Sequence, residues 1–217
     1  ERRIDAAQEI FKEAYALANE CDYDRHKYME LLEKYGEFLS TYALYDEQGK
    51  IEQELLNLRI SVFGQNHPDV AASYVYIGMV YNSQGDYDKA LKYYEKALKI
   101  SLSVLGDNHP CVAGSYNNIG NVYASQGDYD KALGYHEKSL SIRLSVLGDN
   151  HPDVAISYNS IGNVYAFQGD YGKALGYYEK SLNIKLSVLG DNHPDVAASY
   201  NNIGNVYYSQ GDYDKAL

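Results

Sequence analysis

Tryptophan is absent from the chain, and cysteine, methionine and proline are scarce, with two, two and four copies. Cys21 and Cys111 stand in unrelated contexts and build no disulfide framework, which favours a reducing compartment and a cytoplasmic protein. No apolar run approaches the roughly 18–20 residues that a bilayer-spanning helix needs, so no membrane partner is expected. Basic residues are also few: 19 Lys and Arg against 30 Asp and Glu leave a net charge of −11. Phosphate backbones are held by Lys and Arg in number, so nucleic acid is not expected as a partner. The opening ERRIDAAQEIFKE is too charged for a secretory leader, and the missing initiator Met points to a piece of a longer protein.

What is present is repetition. The four prolines each follow a histidine, at His67, His109, His151 and His193, 42 residues apart. Residues 109–150 and 151–192 agree at 34 of 42 positions. A fixed period of this size is the signature of a stacked array in which each unit buries its apolar face only against its neighbours. Nineteen of the 25 tyrosines lie in these units, four to six in each.

Within 109–150, Pro110 can open a helix, where its missing N–H costs nothing. Val112, Tyr116, Ile119, Gly120 and Tyr123 then recur at helical steps. Gly127-Asp128 breaks this helix A. A second stripe, helix B, runs through Tyr129, Ala132, Leu133, His136, Ser139, Leu140, Ile142 and Leu144, and Gly148 is expected to end it with a left-handed cap. Gly120, Ala132 and Ser139 are small where two helices must approach closely.

Tyr116, Ile119, Gly120, Tyr123, Ala132 and Ser139 fall at the spacing of the tetratricopeptide (TPR) signature. The linker LGDNHPDVA and the text SYNNIGNVY resemble the 42-residue repeats of kinesin light chains, and similar repeats occur in sensor arms of signalling ATPases. The likeness covers 65–217. It implies an all-α fold: a right-handed α-solenoid of stacked antiparallel helix pairs, the TPR superhelix, binding peptides or proteins in a concave groove.

The expected organisation is a divergent N-terminal part over 1–64, then units at about 67–108, 109–150, 151–192 and a truncated 193–217. IDAAQEIFKEAYAL reads as a lone helix B, with Ala7 and Ala14 at its small positions. For 22–64 two readings stand. The 42-residue register places Gly36 under Gly78, with Gln48 and Leu55 at small positions. The other puts a turn at Asp46–Lys50. The chain ends inside a helix B, so continuation beyond it is expected.

At about 100° per residue, helix A has a core side and an opposite side. In the TPR architecture the opposite side lines the groove. It carries Asn117, Asn118 and Asn121 in one unit, Asn159, Asn163 and Phe167 in the next, and Asn201, Asn202, Asn205 and Tyr208 in the last. The earlier unit offers Tyr76, Met79 and Asn82, a more apolar patch. Amides both donate and accept, so an asparagine ladder at Asn121, Asn163 and Asn205 can pair with an extended backbone. At about 0.5–1.5 kcal/mol per bond, a handful of contacts gives roughly micromolar affinity. The competing account is that some asparagines only bridge neighbouring A helices. Helices A of the three best repeats contain no Lys or Arg, so a strongly acidic partner is not expected. The carboxylate-clamping and acidic-cargo modes of related repeats lack their basic residues here.

No nucleophile–base set, phosphate-cradling loop or dinucleotide fingerprint appears, so neither catalysis nor a cofactor is expected. HPD at 67–69, 151–153 and 193–195 matches a co-chaperone J-domain triplet, but here it recurs as punctuation before helices. Histidines one repeat apart are separated by helix layers of about 8–10 Å each, whereas zinc ligands lie about 2 Å from one ion, so no metal site is expected. Cys111, near a helix start in place of Asp153, reads as a surface thiol. The leading expectation is a non-catalytic scaffold holding an extended partner segment. A sensor arm of a larger ATPase, nuclease or protease is the alternative, and end-to-end self-association is a third.

Overall fold

The computed structural model describes the backbone of residues 2–20 and 24–216 and the side chains of 8–17 and 24–216. Cys21 and the side chain of Ala7 lie outside the described residues. The described chain is helical throughout: α1 (Arg2–Glu20), α2 (Arg25–Thr41), α3 (Tyr45–Phe63), α4 (Pro68–Ser83), α5 (Tyr87–Leu105), α6 (Pro110–Ser125), α7 (Tyr129–Leu147), α8 (Pro152–Gln168), α9 (Tyr171–Leu189), α10 (Pro194–Gln210) and α11 (Tyr213–Ala216). Helices A are α2, α4, α6, α8 and α10, and each is followed by a helix B.

Local chemistry explains most of the helix starts in the repeats. In α4, α6, α8 and α10 the proline is the first helical residue and the histidine before it is the N-cap, in extended backbone. Each imidazole Nδ1 accepts the N–H two residues on, at 3.2 Å for His67 and 3.1 Å for His109, His151 and His193. That satisfies one of the orphan donors of a first turn. Helices α7 and α9 start on Asp128 and Asp170, whose carboxylates accept the N–H of Lys131 and Lys173. Between helices A and B the turn glycines Gly85, Gly127, Gly169 and Gly211 all have φ near +79°. At the end of helix B the geometry differs from the expected left-handed cap. Gly148 has φ 80° but ψ 170°, a region essentially restricted to glycine.

The 42-residue register holds down to residue 25, since α2 and α3 lie 42 residues before α4 and α5 within one residue. The alternative turn at Asp46–Lys50 does not form, because those residues open α3. The break lies at Tyr42–Leu44, where Ala43 takes φ 56° at the place of Gly85. Helix α1 sits almost in the register of a helix B and lays Phe11 on Tyr35, ring centroids 4.9 Å apart.

The chain forms two compact units, Glu1–Ile100 and Ser101–Leu217. In the first, Met29, Leu32, Tyr35, Leu39, Ile51 and Leu55 make one core. Leu56 joins Val70, Ala71 and Ile77 in another, so α3 and α4 share apolar packing. In the second, Val154, Ala155 and Ile184 are packed by Leu140 and Leu144, and Ala174, Tyr178 and Val206 form a further cluster.

Within a pair, an aromatic of helix B fills the gap left by a glycine of helix A. A Cβ on Gly78 would lie 2.6 Å from Tyr94, and one on Gly162 2.7 Å from Tyr178. Between pairs, a cation, buried in the case of Arg59 and Arg143, ties helix B to the next helix A. Arg143 donates to the Asp153 carbonyl at 3.0 Å and the Ser157 hydroxyl at 2.8 Å. Arg59 does the same with Asp69 and Ser73, and Lys185 with Asp195 and Ser199. The equivalent position in the fourth case is Ser101, and there Cys111 stands in place of the aspartate.

Among the described residues no helix is long and apolar enough to cross a membrane.

Candidate functional site

In the second unit the exposed sides of α6, α8 and α10 are set by the glycine and valine contacts on their other sides. Ile119, Gly120 and Val122 are buried on α6, and Ile161, Gly162 and Val164 on α8. This turns Asn121 outward and leaves Phe167 66% exposed. A cavity of about 440 Å³ between α6 and α8 is lined by Asn121, Ser125, Tyr129, His136, Asn163 and Phe167 among others. A neighbouring cavity of about 360 Å³ is lined by Asn163, Phe167, Tyr171, Tyr178, Asn202 and Asn205. Asn163 and Phe167 thus belong to both.

The individual amides differ in how free they are. Tyr178 donates its hydroxyl proton to Asn163 Oδ1 at 2.7 Å, leaving the Asn163 NH₂ as the available group. Asn202 donates to Asn159 Oδ1 at 2.9 Å, a bridge between α10 and α8. Asn117 is buried, and its Oδ1 has no partner. The residue at the position from which Asn202 answers Asn159 is here Ser160. Asn118 is half-buried, whereas Asn121, Asn201 and Asn205 are exposed. Phe167 stacks at 6.3 Å on Tyr129, and Tyr208 meets Tyr213 edge-on at 5.4 Å.

In the first unit Tyr76 and Met79, 42% and 45% exposed, line a cavity of about 580 Å³ with Glu33, Gly36, Glu37, Gln48, Glu52 and Arg59. Asn82 is half-buried with an unpartnered Oδ1 and lies outside that lining.

The side chains that sequence reasoning missed come mainly from helix B. Tyr129, Tyr171, His136 and Tyr178 enter the cavities beside the asparagines. Glu52 occupies the place of Tyr94, His136 and Tyr178, a substitution visible once α3 is put in register. The lysines of DYDKAL and YYEKAL are not simply solvated either. Lys131 pairs with Asp128 at 2.6 Å and lies 5.0 Å from the centre of the Tyr123 ring. Tyr123 stacks on Tyr135 at 5.5 Å, and Lys138 covers Tyr116 and Tyr135. The same lattice recurs at Tyr81–Tyr93 and Tyr165–Tyr177, and it accounts for much of the tyrosine content.

Burial also shifts several ionisable groups, His136 and Glu52 among them. His136 is pushed down to about 4 by desolvation and then by the Arg143 charge, and its Nδ1 has no partner. Glu52 is raised to about 7 by desolvation, against the opposing pull of Arg59 and a hydrogen bond from Gln48. Among the described residues no group of three metal-ligating side chains occurs.

Helix pairs of constant length, most of them closed by glycine turns, define a helical-repeat protein. The chain belongs to the tetratricopeptide repeat family, whose profile matches residues 45–103, 69–145, 111–187 and 173–217. Proteins of this family bind other proteins or peptides and are typically non-catalytic scaffolds. The structure resembles that of BtubC (BKLC) from P. vanneervenii, at 26% identity and TM-score 0.76, covering 99% of this chain and 85% of that one. It also resembles a putative kinesin light chain of Podosopora anserina with nearly identical TPR-like repeats, at 20% identity and TM-score 0.67, over 88% of this chain and 89% of that one. The apo form of RapI shares the fold at 16% identity and TM-score 0.71, over 97% of this chain and 56% of the other. No curated protein is significantly similar in sequence.

Proposed function

We propose that the second unit binds an extended segment of a partner protein across α6, α8 and α10. The observation that carries this reading is the pair of neighbouring cavities sharing Asn163 and Phe167. Asn121, the NH₂ of Asn163, and Asn205 supply backbone-directed hydrogen bonds, and Phe167 supplies an apolar edge beside which one side chain of the ligand docks. The internal bridges at Asn159–Asn202 and Tyr178–Asn163 pre-position the amides, so that less freedom is lost on binding. Helices α6, α8 and α10 carry no Lys or Arg, so the partner segment is neutral or mildly basic rather than strongly acidic. The exposed free thiol of Cys111 suits a reducing compartment such as the cytoplasm.

The test is selection of binders from a random peptide display library, followed by affinity measurement on the synthetic peptides. Micromolar binding is expected. It should weaken about tenfold or more in Asn121→Ala/Asn163→Ala/Asn205→Ala and in Phe167→Ser, with helicity by circular dichroism unchanged. Peptides that bind these variants as well as the parent would remove the proposal.

A further inference from the structure

We propose that the first unit carries a receptor pocket for an arginine side chain of a partner protein, formed by Glu52, Glu37 and Tyr76. It draws on residues of that unit alone and stands whether or not the Asn121–Asn163–Asn205 face binds.

The cavity between α2, α3 and α4, about 580 Å³, is lined by three carboxylates, Glu33, Glu37 and Glu52, and one cation, Arg59. That cation is already committed. It is ion-paired with Glu33 and donates to the Ser73 hydroxyl and the Asp69 carbonyl. Two carboxylates are left over.

Glu52 is the telling one. It is only 4% exposed. Its Oε1 packs over Gly36, 2.7 Å from where a Cβ would stand, and Gln48 donates a hydrogen bond to the carboxylate. Its Oε2 is buried with no partner at all. Packing does not call for an acid here: the equivalent positions hold Tyr94, His136 and Tyr178, uncharged groups seated on the matching glycines. A buried carboxylate with an unused oxygen costs stability, and a bound cation removes that cost. The carboxyl is accordingly poised near neutrality, at about 7, where a cationic ligand would favour the ionised form.

The other walls select the kind of cation. Tyr76 and Met79 are both nearly half exposed, one an aromatic face and the other a flexible thioether. A guanidinium stacks on such a ring, and its planar fork can serve two carboxylates at once, whereas an ammonium is a point charge. The methylene stem of arginine would lie against Met79.

The experiment titrates the 217-residue chain, carrying ¹³C-methyl methionine, with Nα-acetyl-arginine amide and with Nα-acetyl-citrulline amide, its neutral isostere. The Met79 methyl and Gly36 amide resonances are followed by NMR. Saturable shifts are expected with arginine, at an affinity about tenfold above that for citrulline. Glu52→Gln should abolish that preference while raising the thermal midpoint at pH 8, because it removes a buried charge that Arg59 and Gln48 compensate only in part. Glu37→Gln, at an exposed position that leaves the core intact, should reduce the preference about threefold. No saturable shift, equal binding of arginine and citrulline, or an unchanged preference in Glu52→Gln would each overturn the proposal.

Discussion

His136 stands where the neighbouring pairs have Tyr94 and Tyr178, seated on Gly120 as the tyrosines sit on Gly78 and Gly162. The smaller imidazole keeps an aromatic ring over that glycine, but the hydroxyl that binds Asn163 in the next pair is lost, and Nδ1 is left without a partner. The folded protein holds this histidine neutral down to about pH 4, whereas its ordinary value is 6.5. Below pH 6.5 the unfolded chain therefore binds a proton that the folded one refuses. Stability contributed by the neutral state is intact above pH 6.5 and is lost as pH falls toward 4, by up to roughly 3 kcal/mol. His136→Tyr should remove this acid sensitivity, as shown by chemical denaturation of parent and variant at pH 7.5 and pH 4.5. An unchanged pH dependence would contradict it. Glu52 acts with the opposite sign: its folded value of about 7 lies above the ordinary 4.5, so it costs stability as pH rises through that window.

At the scale of helices and turns, termini decide where the elements fall. His151 caps α8 by accepting the Asp153 N–H, a role usually filled by Ser, Thr, Asp or Asn. His151→Ala should destabilise by about 1 kcal/mol and His151→Asn by much less; equal loss in both would show that the imidazole acts otherwise. The proline after each histidine made these helix starts legible in sequence, although the capping hydrogen bond itself was not. The α2–α3 turn was not legible for a definite reason. Its left-handed residue is Ala43, where later turns have Gly85, Gly127, Gly169 and Gly211, so no glycine marks it. Packing of Leu39, Ile51 and Leu55 imposes the turn in spite of alanine. Ala43→Gly should therefore stabilise by about 1 kcal/mol, readable as a raised thermal midpoint; a lowered one would refute the strain.

Over the whole molecule, cohesion comes from contacts between sequence neighbours, and such arrays unfold as coupled units rather than in one block. Hydrogen exchange followed helix by helix should show unequal protection. The slowest amides are expected in α8 and α9, which contact helices on either side. The earliest exchange is expected in α1, whose packing is confined largely to α2 and α3. Uniform protection throughout, with one transition by every probe, would be the contrary result.

Period, helix pairing and the small-residue seam were determined by the sequence itself. A 42-residue repeat with glycine turns and proline starts admits few other ways to bury its stripes. Helical geometry alone put Asn121, Asn201 and Asn205 on the exposed side, but Asn117, placed with them, is buried. Only the tertiary structure decided which of them are free. Asn163 has its acceptor taken by a tyrosine one helix away, Asn159 is tied to a residue 43 positions on, and Asn121 is left open. It also decided that the carboxylate of Glu52 and the ring of Tyr76 share one cavity. Those relations depend on the distance between helices, which a linear period does not encode.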